Sequence, residues 1–259
     1  MCTTAAKLID NSWYLIKTRD PVTWMRWDDE IKLFNTKADK YKKLIIQNPD
    51  EKEDGYYGGI NEKGVSYVST FVRVAENQVS YIRRPYVRLI LDAATAKEAV
   101  EMIKSFNPRI GGNMLIADKN ECFGIEGVPE KYFVEKISGW SVKTNHFLTL
   151  PNRNLSFNSS PSFEKWSKTH QKRAKELIAK SSNVEDLKNI LKDRKNSDSK
   201  TAICTTRDED KCFTHSAFVV DPANIRIYYA QGCPQEVPFV EYNFTDKLPE
   251  VYKTKNESD

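Results

Sequence analysis

Between residues 112 and 145 four strand-like runs follow one another: "GNMLIAD", "ECFGIEG", "KYFVEKI" and "WSVKTN". Only the turn-forming "KN", "VPE" and "SG" separate them. Connections that short join antiparallel neighbours, because a parallel pair needs a crossover of about a dozen residues or more. The stretch therefore reads as a β-meander, and the rest of the chain has to supply whatever covers it.

Other segments repeat the pattern. Residues 3–9 and 12–18 flank the turn dipeptide "DN", so a β-hairpin begins the fold. "YYGGINEKGVSYVSTFVRV" reads as two strands hinged at "NEKG", with Asn61 and Gly64 as turn residues. Strands are expected again at about 200–205, 213–220 and 225–231. "TAKEAVEMIKSF" (95–106) is an amphipathic helix with Thr95 as its cap. Helical patterns recur at 162–180 and 184–194, the second opening on Asn183 and acidic residues. Residues 24–47 carry Trp24, Trp27, Ile31, Phe34, Tyr41, Leu44 and Ile45, which predicts a helix or a long excursion over the surface. "NPDEKEDG" is a solvated loop, "GCPQEVPF" leads into an irregular tail, and 250–259 is frayed. Strands in three groups interrupted by paired helices predict one α+β domain over 1–259, with two packed, mainly antiparallel sheets.

Composition narrows the function classes. Twelve Phe, twelve Tyr and five Trp suffice for a real core, and the net charge is only +4 with the basic residues scattered. A nucleic-acid protein concentrates such charge on one face, so nucleic acid is not expected as a partner. No secretory signal and no membrane-length apolar run are visible. The five cysteines (Cys2, Cys122, Cys204, Cys212, Cys233) are odd in number and lack CxxC spacing. No disulfide framework, metal or cofactor is expected, and a reducing cytoplasm fits, with Cys122 and Cys204 as small buried strand residues.

Cys2 carries the chemistry. Once Met1 is excised, which a small second residue such as cysteine allows, thiol and α-amine share one residue. The amine has a reference pKa of about 7.7–8.0, so it can take the thiol proton and return it to a leaving amine. A carboxylate beside the amine would orient it, and a nearby cation would favour the thiolate. In "KTRD", strand alternation puts Lys17 and Arg19 on one face and Thr18 and Asp20 on the other.

"MCTT" followed by "KTRD" resembles the start of N-terminal-nucleophile hydrolases of the choloylglycine hydrolase and penicillin acylase type. It is also similar to the acyl-coenzyme A:6-aminopenicillanic acid acyltransferase family. Asp20 matches the aspartate of an Arg-Asn-x-Asp motif, while Lys17-Thr18 stand where Arg-Asn would be and Arg19 is an extra basic residue. Lys17 cannot copy an arginine's bidentate fork. "GGINEKGVSYVST" resembles a second family segment, but the asparagine expected just downstream is replaced by Ser69-Thr70-Phe71. There a hydroxyl, such as that of Thr70, or a backbone N–H would have to serve the oxyanion. "GGNMLIADKNECFGIEGVPEKYF" continuing to "TNHF" carries the strongest likeness, and it implies that Asn145 points its amide N–H₂ at the developing oxyanion. One such donor contributes about 2.7–4 kcal/mol of transition-state stabilisation.

His146 beside Asn145 is read as substrate-binding or structural. In the helix "SPSFEKWSKTHQKRAKELI" the family's basic residue falls on His170 or Arg173. The resemblance implies a four-layer αββα sandwich, a small-molecule N-acyl amide as substrate, a thioester on Cys2, and a homo-oligomer. Aromatic residues Trp24, Trp27, Tyr67, Phe71 and Trp140 are candidates to line an acyl pocket. Acyl transfer to an amine, or a non-catalytic binding protein that kept the fold, stand as alternatives. A glutamine-dependent amidotransferase domain also begins with Cys after Met, but its arginine and glycine motifs and a synthase domain are lacking.

Overall fold

The computed structural model describes residues 2–20, 29–48, 56–72, 88–105, 112–128, 131–150, 161–195, 202–205 and 214–245. In chain order these form β1 (Thr4–Ile9), β2 (Ser12–Arg19), β3 (Glu30–Phe34), β4 (Lys43–Gln47), β5 (Tyr56–Asn61), β6 (Ser66–Phe71), α1 (Ala96–Ser105), β7 (Gly112–Ala117), β8 (Cys122–Val128), β9 (Lys131–Lys136), β10 (Trp140–Lys143), α2 (Pro161–Ile178), α3 (Val184–Leu191), β11 (Ser216–Asp221), β12 (Arg226–Ala230) and β13 (Val240–Asn243). Every strand pairing is antiparallel, in a six-stranded sheet β10-β1-β2-β11-β12-β13 and a seven-stranded sheet β3-β4-β5-β6-β7-β8-β9.

Alternation along the strands sorts most of the apolar side chains into three cores, and Val72, Val128, Phe147 and Leu150 form a smaller fourth cluster. Leu15, Phe218 and Ile227 of the first sheet meet Ile31, Leu44, Ile60, Val68 and Leu115 of the second between the sheets. The outer face of the second sheet (Ile45, Tyr67, Ile116, Ile125) packs on Ala99, Val100 and Ile103 of α1. The outer face of the first (Ala5, Ile16, Val142, Val219) packs on Ala174 and Ile178 of α2 and Leu187 and Leu191 of α3. The result is an αββα sandwich: the strand and helix pattern had predicted two packed sheets, and the resemblance the four layers.

The helices begin where side chains satisfy their first N–H groups. Thr95 Oγ1 accepts from Glu98 N (3.1 Å), and Asp118, at the end of β7, accepts from Ala96 N (2.8 Å). Asn183 accepts from Asp186 N (2.9 Å) at α3. At the "NEKG" hinge, Gly64 has φ +85°, and Asn61 Oδ1 accepts from Lys63 N and Val65 N.

Three expectations are corrected. Residues 30–34 and 43–47 are strands, not helix: Ile31 and Leu33 face the inter-sheet core while Phe34 faces outward, and β-branched Ile45 and Ile46 split between the two faces. Trp24 and Trp27, which made the helical spacing, lie outside the described residues. Residues 202–205 are not a strand, although Cys204 is buried. Cys233 is disulfide-bonded, whereas Cys2, Cys122 and Cys204 are free thiols; the cysteine count had argued for five thiols in a reducing compartment. No helix among the described residues is long and apolar enough to cross a membrane.

The fourth run of the meander behaves differently from the other three. After Gly139 (φ +76°) the chain leaves the second sheet, and β10 pairs with β1 of the first, Thr4 opposite Lys143. That crossing delivers residues 144–146 to the beginning of β1.

Candidate active site

Ala6 and Leu8 of β1 and Trp13 and Leu15 of β2 face the other sheet. The same parity puts Thr4 on that face together with Lys17, its cross-strand partner. Cys2 precedes Thr4 by one strand period, is half-buried, and lies within electrostatic reach of Lys17, Arg19 and Tyr57. Its backbone nitrogen donates to Asn145 Oδ1 (2.8 Å), and Asn145 Nδ2 donates to Phe71 O (2.7 Å). One amide therefore bridges the beginning of the first sheet and the end of β6 in the second.

Lys17 is fully buried, and its Nζ donates to Ser69 O (2.5 Å). Burial lowers its pKa, opposed by negative charge on Cys2. Arg19 is held from two sides. Its Nε is 3.0 Å from Asp29 Oδ1, and its Nη2 donates to the Tyr57 hydroxyl (2.5 Å), with the guanidinium 4.1 Å over that ring. Tyr57 reaches this position through a β-bulge: Ile46 pairs with Gly58 and Gln47 with Tyr56, leaving Tyr57 as the extra residue. Burial, aided by Asp29, pushes the Tyr57 hydroxyl up to about 12, so it stays neutral and accepts from Arg19. Gly58 beside it is obligatory, since a Cβ there would lie 2.6 Å from the Phe218 ring, and Phe218 is the cross-strand partner of Lys17.

The segment carrying Asn145 is fixed by buried polar groups. Asn113 Nδ2 donates to Thr144 O (2.6 Å) and His146 O (3.0 Å). Thr70 Oγ1 donates to Thr144 O (2.6 Å). Glu126 accepts from the consecutive backbone nitrogens of Leu148, Thr149 and Leu150 at 2.8–2.9 Å, and Lys143 Nζ lies 3.1 Å from it. Burial would raise the Glu126 pKa, but those N–H groups and Lys143 bring it below the ordinary carboxylate value. Thr70, Asn113 and Glu126 form one cross-strand row over β6, β7 and β8.

The sequence-predicted residues divide accordingly. Cys2, Lys17, Arg19 and Asn145 come together. Asp20, just past β2, is buried, accepts from Thr214 Oγ1 (2.6 Å) and lies within electrostatic reach of Lys17, while the Cys2 nitrogen donates to Asn145. The Thr70 hydroxyl is given to the Thr144 carbonyl and accepts from Asn113 (3.2 Å). His146 contacts Ser167 Oγ (2.8 Å) and Thr144 Oγ1 (3.1 Å), and burial lowers its pKa, keeping the ring neutral. Ser167 in turn accepts from Asn145 N (2.9 Å). His170 is fully buried in α2. Arg173 is engaged by Asp193 (Nη2 to Oδ1, 2.6 Å) and Glu176, tying α2 to the segment after α3. Tyr67 packs under α1 on the outer face, while Phe71 and Trp140 are partly exposed.

Asn113, Glu126, Lys143, Ser167, Asp29 and Tyr57 were not singled out from the sequence. The first three sit in "GGN", "GIE" and "VKTN", where the letters show the landmark and not the contact. Asp29 lies within the 24–47 segment read as helix or surface excursion, and Tyr57 depends on a bulge that no local pattern announces.

The model of the acyl-coenzyme A:6-aminopenicillanic acid acyl-transferase family matches residues 9–236. Among solved structures, a penicillin V acylase from Agrobacterium tumefaciens is similar, with TM-score 0.54 and 14% identity over 96% of this chain and 87% of the other. A conjugated bile acid hydrolase from Clostridium perfringens, in a form whose second-position cysteine is alanine, gives 0.54 and 15% identity over 100% of both chains. Another variant of that hydrolase gives 0.52 and 14% over 96% and 98%. No curated protein sequence matches.

Proposed function

Because the chain belongs to the acyl-coenzyme A:6-aminopenicillanic acid acyl-transferase family, we propose that it is a cysteine N-terminal-nucleophile enzyme that cleaves linear, non-peptide amide bonds of N-acyl compounds. The observation that carries this reading is the 2.8 Å hydrogen bond between the Cys2 nitrogen and Asn145 Oδ1, made beside Lys17 and Arg19. After loss of Met1 that nitrogen is the α-amine, oriented by an acceptor and lying on the residue that bears the thiol.

The α-amine takes the Cys2 thiol proton as Sγ attacks the amide carbonyl carbon. The tetrahedral oxyanion accepts from the Asn145 amide hydrogen that Phe71 O leaves over. The C–N bond then breaks, the α-ammonium gives its proton to the departing nitrogen, and a thioester remains on Cys2. Water attacks the thioester carbon and loses a proton to the α-amine. The C–S bond breaks, and carboxylic acid and thiol are released. An amine in place of water gives acyl transfer, the reaction in the family's name, and this is the second reading.

Intact-mass measurement should find Met1 absent. A panel of N-acyl amides, read by release of free amine, should be turned over and leave an acyl adduct on Cys2. Cys2→Ala should lower the rate by a factor on the order of 10⁵ or more. Retained Met1, or a Cys2→Ala protein with wild-type rate, defeats the proposal. Faster amine release in the presence of a second amine, with a new amide as product, identifies the transferase.

A further inference from the structure

Arg19 presents three nitrogens, and the fold engages two. Nε forms an ion pair with Asp29 without hydrogen-bond geometry and Nη2 donates to Tyr57, while Nη1 is buried and has neither a hydrogen-bond nor an ion-pair partner among the described residues. The side chain is only 6% exposed, so water does not replace the missing acceptor freely. The guanidinium is not a loose surface group that happens to point inward. Asp29 is anchored by Ser216 Oγ (2.5 Å), Tyr57 is aimed by its bulge, and the guanidinium carbon lies 4.1 Å from the centre of its ring. A charged donor held from two sides beside Cys2, with its third nitrogen unused, is preorganised for an acceptor that arrives with a ligand.

Charge gives the chemistry of that acceptor. Among the described residues, Lys17 and Arg19 are the cations within electrostatic reach of Cys2, and the carboxylates of Asp20 and Asp29 act on Lys17 in turn. A carboxylate oxygen at Nη1 gives the unused N–H a charge-assisted hydrogen bond, the pairing that a guanidinium fits best.

We propose that Arg19 determines the specificity of the Cys2 site, its Nη1 N–H receiving a carboxylate oxygen of the substrate, so that the enzyme acts on N-acyl amides bearing a carboxylate. This rests on the Cys2 reading above. The carboxylate can sit on the amine side, as in an N-acyl amino acid, or at the far end of the acyl chain, as in a dicarboxylic acid monoamide.

Binding to the full-length Cys2→Ala protein, which does not turn over, separates this claim from the amidase claim. Two matched pairs are titrated by calorimetry: N-hexanoylglycine against its methyl ester, and adipic acid mono-butylamide against its methyl ester. The acid is expected to bind at least tenfold more tightly than the ester in one pair, which also identifies the side that carries the carboxylate. In Cys2→Ala/Arg19→Gln the advantage should fall to within about twofold. If that protein does not fold, Arg19→Met with Asp29→Asn in the Cys2→Ala background removes the ion pair as a unit and should give the same loss. Equal binding of acid and ester in both pairs, no binding by any of the four, or an acid preference that survives the loss of Arg19 overturns the proposal. An intact, Arg19-dependent acid preference in a protein whose wild type hydrolyses none of the four amides would instead defeat the amidase reading alone.

Discussion

Three lysines of this protein, Lys17, Lys43 and Lys143, are fully buried, and they are not alike. Lys43 lies 2.7 Å from both Asp39 and Asp92, and Lys143 is clasped by Glu126 (3.1 Å) and Glu135 (2.8 Å). Lys17 meets a neutral carbonyl, that of Ser69, and no carboxylate lies within ion-pair distance of it among the described residues. Two of these cations are embedded with their counter-charges as parts of the scaffold. The third is held beside Cys2 against the cost of its own burial, and the negative charges that favour it there are first that of the cysteine and then those of Asp20 and Asp29, at longer range. Equal burial thus has two meanings, and the partner tells them apart.

The comparison breaks most visibly on stability. Lys143→Met strands Glu126 in the interior without its Lys143 counter-charge and should cost about 3–5 kcal/mol in urea denaturation. Lys17→Met removes a poorly compensated charge and should cost less than about 1 kcal/mol. Equal losses would erase the distinction. Activity should reverse the order. Lys17→Met should slow both turnover and iodoacetamide alkylation of Cys2 by about 10- to 100-fold, or about 1.4–2.7 kcal/mol. Lys43→Met, remote from Cys2, should change the alkylation rate less than about threefold, measured well below its unfolding temperature.

A smaller effect sharpens the picture of the brace. Asn113→Ala leaves the Thr144 and His146 carbonyls without their donor and should cost about 1–3 kcal/mol. Because Asn145 lies between those two carbonyls, turnover should fall along with stability. Unchanged turnover in a destabilised variant would mean that the loop keeps its shape unaided.

The smallest effect is a pH dependence. The folded-state pKa of Lys17 lies below its unfolded value of 10.5, so between the two the unfolded chain binds more protons. Stability relative to Lys17→Met should therefore rise as pH climbs from the folded pKa to 10.5 and level off above it. A flat difference over that window would show that the lysine is not held against desolvation.

How much of this was readable from the letters follows the range of the interactions. The opening hairpin, the runs that became β7, β8 and β9, the Thr95 cap and the Asn183 cap are each decided within a few residues, and each was legible. Residues 30–34 misled because a spacing that began at Trp24 imitated a helical period, while the β-branched pair Ile45-Ile46 spoke for strand. In the candidate site, Cys2 and Asn145 could be named from their motifs, but the direction of the Asn145 amide could not. That direction is set by Phe71, 74 residues away in sequence. Asn113 and Glu126 are polar letters inside apolar strands, and their partners appear only when β10 changes sheets.

The extra residue in β5 has a consequence for how such a protein could change. Tyr57 points toward Arg19 because the strand is one residue out of phase with its neighbour, not because tyrosine prefers that side. Excising a single residue there would bring the ladder back into step and swing the ring to the far face, releasing the guanidinium from one of its two holds. Ligand preference in this scaffold would then be adjustable by strand length, a mode of variation that scanning substitutions one position at a time would never sample.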